Sequence, residues 1–149
     1  MSRRYHVCTF RVGSHLVGID ADWLREIVPE LSLTRVPMVP AEILGLANLR
    51  GDILTVIDLG LRLGVGRAGG DDGEAIDAVV QAANEAMALR VDSVEEVFEM
   101  SNDDLDSPPE TLESLSREFI RGEYQLANEL VLVLEPERVL EPGDRVATT

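Results

Sequence analysis

Apolar residues in this chain come in short runs, and glycine or proline interrupts them so often that a mostly β fold of short strands is the natural outcome. Residues 5–12 alternate, with Cys8, Phe10 and Val12 on one face and Thr9 and Arg11 on the other. Gly13-Ser14-His15 then turns the chain into a second apolar run at 16–20, the pattern of a β-hairpin. Residues 43–49 and 52–59 read as two further strands joined at Arg50-Gly51, and the nearly continuous apolar run 53–57 predicts burial on both faces. Residues 59–63 suit a single helical turn stopped by Gly64. Residues 75–83 and 87–100 read as two long strands joined near Asn84-Glu85, the second bending near Asp92-Ser93. Residues 119–126 and 130–134 pair around Ala127-Asn128-Glu129, and a terminal turn follows at 136–140.

Four other segments read differently. Asp20 or Asp22 can cap a short helix running to Val28, with Pro29 ending it. Trp23, Leu24, Ile27 and Val28 would form its apolar stripe, leaving Arg25 and Glu26 more exposed. Residues 31–36 read as a strand ended by Pro37, and Pro37 and Pro40 bracket a stiff connector. Ser101 to Asp104 offers a cap for a short turn, and Pro108-Pro109 breaks any continuation. The segment 66–73, with four glycines, reads as a mobile loop. The sum is eight to ten short strands and a few one- or two-turn helices, which means barrels or a sandwich. Aromatic residues are only 4% of the chain, so aliphatic side chains must fill the core, and no repeat of fixed period is visible.

Length, 149 residues, suits one domain able to bury a real core. The formal charge is −15, and all thirteen basic residues are arginine. Without lysine there is no phosphate-loop lysine, no Schiff base and no lysine general base. The negative charge argues against nucleic acid and against anionic membrane surfaces. It is also lopsided: residues 1–68 hold eight arginines and seven acids, residues 69–149 five arginines and twenty-one acids. A solvated face explains that, and so does selection of a basic partner. The single cysteine excludes an internal disulfide, and Cys8 falls on an inward face where a packed thiol is expected. No signal-peptide pattern opens the chain, and its longest apolar run, 130–134, is too short to cross a membrane. A cytoplasmic protein without direct membrane insertion is the expectation.

Catalytic constellations are not legible. His6 and His15, the two histidines, have no serine or cysteine partner by local spacing, and no zinc-ligand spacing occurs. Asp71-Asp72-Gly73-Glu74 lies in a glycine loop but lacks the alternating ligand positions of a calcium loop. Asp103, Asp104 and Asp106 flank a helix cap, where negative charge is at home. The reading is a non-enzyme with no catalytic residue, no metal and no cofactor. A small acidic β-barrel hydrolase using paired carboxylates is the remote alternative, tested by mutating Asp71, Asp72 and Glu74 together.

A pair of segments carries more. The first is Gly18-Ile19-Asp20, then Leu24-Arg25-Glu26-Ile27, then Thr34-Arg35-Val36-Pro37. The second is Gly45-Leu46-Ala47-Asn48-Leu49-Arg50-Gly51, running on to Val56-Ile57-Asp58-Leu59 and Leu63-Gly64. Together they resemble the CheW-like family, the coupling proteins of bacterial chemotaxis. Leu89-Arg90-Val91-Asp92-Ser93-Val94 looks like the family's Gly-Leu-x-Val-Asp-x-Val strand, with Ala88 where glycine is usual and Arg90 interrupting an apolar strand. Phe119-Ile120-x-Gly122 and residues 130–134 resemble its closing hairpin, with Glu135-Pro136 in place of a Leu-Asp-like pair.

The resemblance spans about residues 5–140, leaving a short tail at 141–149, and implies a single module. Its implied fold is two small five-stranded SH3-like β-barrels sharing a core, with a few short helices. Its implied activity is that of a non-enzymatic, stand-alone adaptor, binding the regulatory domain of a CheA-type histidine kinase and the cytoplasmic tips of methyl-accepting chemoreceptors. A coupling protein of a type IV pilus or other non-flagellar receptor–kinase pathway fits the same residues. By resemblance Leu24, Glu26, Gly45 and Arg50 match positions near the receptor-facing surface, and core packing is the competing role for Leu24. Asn48, Leu49, Arg50 and Gly51 form the motif turn, in which Asn48 and Gly51 read as turn formers. Arg50 is expected to pair with Glu26 and fix the short helix to the barrel, a solvent-exposed Arg50 being the alternative, and bidentate geometry would make Arg50→Lys disruptive. The kinase surface is expected to be an exposed aliphatic patch with no residue assigned to it.

Overall fold

Ten strands divide between two five-stranded sheets in the computed structural model, which describes residues 3–69, 74–82, 85–107 and 117–141. One sheet runs β8 (Ser93–Ser101), β1 (Arg4–Val12), β2 (His15–Asp20), β10 (Glu129–Leu134), β9 (Ile120–Leu126). The other runs β3 (Leu24–Pro29), β6 (Ile76–Ala82), β7 (Glu85–Val91), β5 (Asp52–Asp58), β4 (Ile43–Leu49). Each sheet has one parallel pair, β2 with β10 and β5 with β7, and antiparallel pairs elsewhere.

The two sheets share one plan. Each is an edge strand, a hairpin, and then a second hairpin laid parallel to the first. No fixed-period repeat in the sequence announces this, because the chain enters the plan at a different strand in each sheet. It leaves the first sheet after β2 through a 3₁₀ turn at Ala21–Trp23, builds all of β3 to β7, and returns at Asp92. The expected bend near Asp92-Ser93 is therefore a change of sheet. The acidic second half of the chain supplies strands to both sheets, so the charge asymmetry of the sequence is not an asymmetry between barrels.

Three apolar clusters follow from this plan. Tyr5, Val7, Leu16, Met100, Val131 and Val133 fill one sheet's own interior, and Ala47, Leu54, Val56, Val79 and Ala88 fill the other's. The largest cluster lies between the sheets and includes Phe10, Val17, Ile19, Leu59, Leu89 and Leu134. Strands buried on both faces need apolar residues at successive positions, which is why residues 54–57 and 131–134 do not alternate. Burial of a side chain such as Phe10 contributes about 1.5–3 kcal/mol. Cys8 packs in the shared cluster as a free thiol, and burial pushes its pKa up.

The short helices are set by single residues. In α1 (Leu59–Leu63) the Asp58 carboxylate accepts the Leu61 N–H at 3.0 Å, and Gly64 ends the turn at φ 79°. Pro136 opens α2 (Pro136–Val139) as a first-turn proline.

Several expectations change. Residues 24–28 are a strand, not a helix: β3 pairs with β6, and its burial alternates, so Leu24, Glu26 and Val28 lean inward while Arg25 and Ile27 face out. The Asp20 cap supports only the 3₁₀ turn, accepting the Asp22 N–H at 3.0 Å. Residues 31–36 form no strand beyond a single bridge, Thr34 with Leu46. Ile53 is 49% exposed, so β5 is buried on both faces only from Leu54 onward. Thr9, expected outside, is fully buried where β1 bulges against β8; its hydroxyl donates to the Glu96 carbonyl at 2.7 Å and accepts the Glu96 N–H at 2.9 Å. Half of the expected 66–73 loop, residues 70–73, lies outside the described residues, as do Pro108 and Pro109.

The edge strands are joined by straps. Beyond β3, Thr34 exchanges both backbone bonds with Leu46 at 2.7 and 2.8 Å; beyond β8, Asp106 does the same with Glu123 at 2.9 Å each way. A glycine lies under each strap. A Cβ on Gly45 would sit 2.4 Å from the Thr34 carbonyl oxygen, and one on Gly122 would sit 2.6 Å from that of Asp106. Stacking of Phe98 on Tyr124, centroids 4.8 Å apart, adds to the closure of the first sheet.

Candidate functional site

The hairpin turn between β4 and β5 has two central residues, Arg50 at φ 51° and Gly51 at φ 89°. Two positive φ values make the mirror-image turn that matches strand twist, and the first of those positions ordinarily favours asparagine, aspartate or glycine. Arginine there carries backbone strain of about 1–3 kcal/mol. Asn48 supports the turn by accepting the Gly51 N–H at 3.0 Å, and Leu49 closes it opposite Asp52. What the strain obtains is direction: the Arg50 guanidinium reaches across to β3 and donates from Nη2 to Glu26 Oε2.

That contact crosses the seam between the edge strands β3 and β4. Arg25 lies 3.7 Å from the same carboxylate and 3.5 Å from Asp52, so the four charges alternate along the rim. Hydrogen bonding to Glu26 raises the Arg50 pKa further above its usual range. The pairing expected from the sequence is present, but it ties a strand to a turn rather than a helix to a barrel. It is also made through one guanidinium nitrogen. The bidentate condition under which lysine would fail is not met, and Arg50→Lys should retain much of the contact.

The four residues assigned by resemblance do not have equal access to solvent. Glu26 and Arg50 lie at the surface, with side chains 26% and 59% exposed. Leu24 is half-buried and packs partly on the shared core. Gly45 is buried beneath Thr34 and shapes the surface only through the strap it supports. Between the strap and the turn lies a groove of about 710 Å³ lined by Val28, Leu31, Leu33, Asn48, Leu49 and Arg50. Sequence reasoning missed the strap as a wall of this groove, because one isolated bridge leaves no periodic signal.

Exposed aliphatic residues occur on both sheets: Ile27 and Ile53 on one, Val94, Val97 and Leu130 on the other. Of the residues in the hydrolase alternative, Asp71 and Asp72 lie outside the described residues, and Glu74 is exposed. Among the described residues no helix is long and apolar enough to cross a membrane, and no group of three or more histidine, cysteine or acidic side chains is placed to hold a metal ion.

Two β-sheet units, a grooved and charge-stapled seam and exposed aliphatic side chains suit a protein-binding module. The chain belongs to the CheW-like family, whose domain matches residues 6–142. Members of that family are non-enzymatic scaffolding proteins of chemotaxis, which sets the hydrolase reading aside. Among curated relatives, chemotaxis protein CheW of Treponema pallidum is 27% identical over 89% of this chain and 79% of its own length. A probable chemotaxis protein CheW of Rhizobium etli is 31% identical over 93% and 88%. The crystal structure of the scaffolding protein TtCheW from Thermoanaerobacter tengcongensis matches with a TM-score of 0.80 and 26% identity, covering 96% of this chain and 97% of that one.

Proposed function

We propose that this chain works in the cytoplasm as a single coupling module between the cytoplasmic tips of chemoreceptors and the regulatory domain of a CheA-type histidine kinase. The full-length match to the scaffolding protein TtCheW is the observation that carries this reading. Leu24, Glu26 and Arg50 form the receptor-facing surface, and Gly45 shapes it from below.

A receptor tip is a helical hairpin, so its contact calls for an apolar groove edged by a few fixed charges. The groove beside Arg50 supplies the first, and the Glu26–Arg50 contact holds the second in place across the seam. Exposed aliphatics such as Ile27, Ile53, Val94 and Val97 supply apolar material for pairing with a like barrel on the kinase. Coupling then consists of holding both partners with different affinity in different kinase states.

Pull-down against a soluble chemoreceptor tip and a CheA-type kinase, with kinase activity read out, tests the reading. Binding of both is expected, and Arg50→Glu should weaken the tip contact while Glu26→Arg combined with Arg50→Glu restores part of it. Failure of the unmodified chain to bind either partner would refute the proposal.

A further inference from the structure

On the other side of the strap lies a second pocket of about 600 Å³, lined by Arg35, Arg67 and Arg90 together with Glu30, Asp58 and Gly69. Three arginines converging on one polar pocket are unusual in a chain of charge −15. Elsewhere the arginines face carboxylates: Arg11 meets Glu95 and Glu129, Arg62 meets Glu42, and Arg121 meets Glu135. Arg35 and Arg67 are exposed and make no ion pair among the described residues.

The third arginine is nine-tenths buried, its side chain 9% exposed. Arg90 gives Nε to Asp77 Oδ1 at 3.0 Å, and Nη2 to Asp77 Oδ2 and to the Leu31 carbonyl, both at 2.9 Å. Its Nη1 has no acceptor among the described residues. An oriented donor therefore remains open, at the accessible end of a largely buried side chain that lines the pocket.

The other two are held in place by their backbones. Arg35 follows Thr34, fixed on both sides by the bridge to Leu46. Arg67 precedes Ala68, whose N–H meets both Asp58 oxygens at 3.1 Å, and Gly69, whose N–H donates to Asp92. The pocket's own carboxylates are already engaged: Asp58 also accepts the Leu61 N–H at 3.0 Å, and Glu30 accepts the Ala75 N–H at 3.3 Å.

We propose that this pocket binds an oxyanion group, with Arg90 Nη1 as the oriented donor and Arg35 and Arg67 as the charged rim. Two sources can present that chemistry: a free phosphate, or a glutamate or aspartate side chain of a protein partner. The proposal is independent of the receptor-facing surface and stands or falls without it.

Amide and arginine side-chain resonances of the full chain are followed by NMR during titration with inorganic phosphate and, separately, with N-acetyl-glutamate, at constant ionic strength set by sodium chloride. Saturable shifts at Arg90 Hε and at the Ala68 and Gly69 amides are expected with at least one probe. Stronger binding of phosphate identifies a free oxyanion, and stronger binding of N-acetyl-glutamate a partner's carboxylate. Arg35→Gln and Arg67→Gln, both exposed and outside the core, should each weaken binding about tenfold, the loss of one charge-assisted contact. Shifts that track chloride alone, absence of saturation with both probes, or unchanged binding in the double variant would each overturn the proposal.

Discussion

Arg90 and Asp77 form the most consequential polar contact in the interior, and cutting it should cost more than any exposed ion pair. Asp77 is fully buried and lies directly opposite Arg90 across the β6–β7 hairpin. Burial opposes charge on Arg90, yet the hydrogen bonds and charge of Asp77, with Glu30 and Asp58 nearby, hold its pKa above the ordinary guanidinium value. Asp77 also accepts the Leu31 N–H at 2.8 Å while Arg90 holds the Leu31 carbonyl, so the pair clamps the start of the strap. Arg90→Met leaves a buried carboxylate with one backbone donor, a situation that costs about 3–5 kcal/mol. Against a total stability of about 5–15 kcal/mol, that is a large fraction. With a urea slope near 2 kcal/mol per molar, the midpoint should fall by about 1.5–2.5 M. Asp77→Val should cost a similar amount by stranding the cation. The double variant should recover much of the loss, because two apolar residues need no partner and only the half-exposed Leu31 backbone groups turn to water. Urea unfolding of all four proteins gives the coupling energy, expected at about 2 kcal/mol or more. A coupling below about 0.5 kcal/mol would mean the charges are independently solvated, and the clamp argument would fail.

Three further outcomes follow from the geometry. Gly45→Ala and Gly122→Ala each force a Cβ against a strap carbonyl, at 2.4 and 2.6 Å, and each should lose about 1–3 kcal/mol in thermal or urea unfolding. Only Gly45→Ala should also weaken chemoreceptor-tip binding, so equal loss of tip binding in both would remove the strap from the receptor surface. Hydrogen bonding to Arg11 lowers the Glu129 pKa below its ordinary 4.5, so the stability this pair contributes is present above that value and drains away as pH falls through the lower folded pKa. Arg11→Gln should therefore flatten the acid limb of a stability–pH curve, and an unchanged limb would count against the linkage. Cys8 is buried with its pKa raised, so iodoacetamide should label it at pH 8 only as fast as the protein unfolds; rapid labelling of the native chain would contradict the packing.

Local signals went a long way in this chain. Each hairpin closed by a short turn, β1–β2, β4–β5 and β9–β10, was legible because alternation and turn residues lie within about ten positions of each other. The α1 turn and its Gly64 stop were legible for the same reason. The segment 24–28 was not: its apolar spacing suits a helix, and only pairing with β6, some fifty residues onward in the chain, makes it a strand. Arg90 looked like an interruption of an apolar strand. Its partner depends on where the β6–β7 turn is centred. With Ala82 opposite Glu85, as observed, Asp77 faces Arg90; a turn centred one residue later, at Asn84-Glu85, places Asp92 opposite Asp77 instead.

What the sequence determined by itself was the inventory: short strands, a turn that can aim Arg50, a lysine-free acidic surface, and the motif order that matches the CheW-like family. Tertiary structure alone decided how those parts are shared. It divided the strands of an apparently two-part chain between two sheets of identical plan, set each strap over a glycine, and closed a buried ion pair beneath one strap. The physical reason is range. Turns and alternation are set by neighbours a few residues apart, whereas sheet order, buried pairing and pocket shape depend on contacts between distant segments, whose loop-closure cost is met only when the whole core forms.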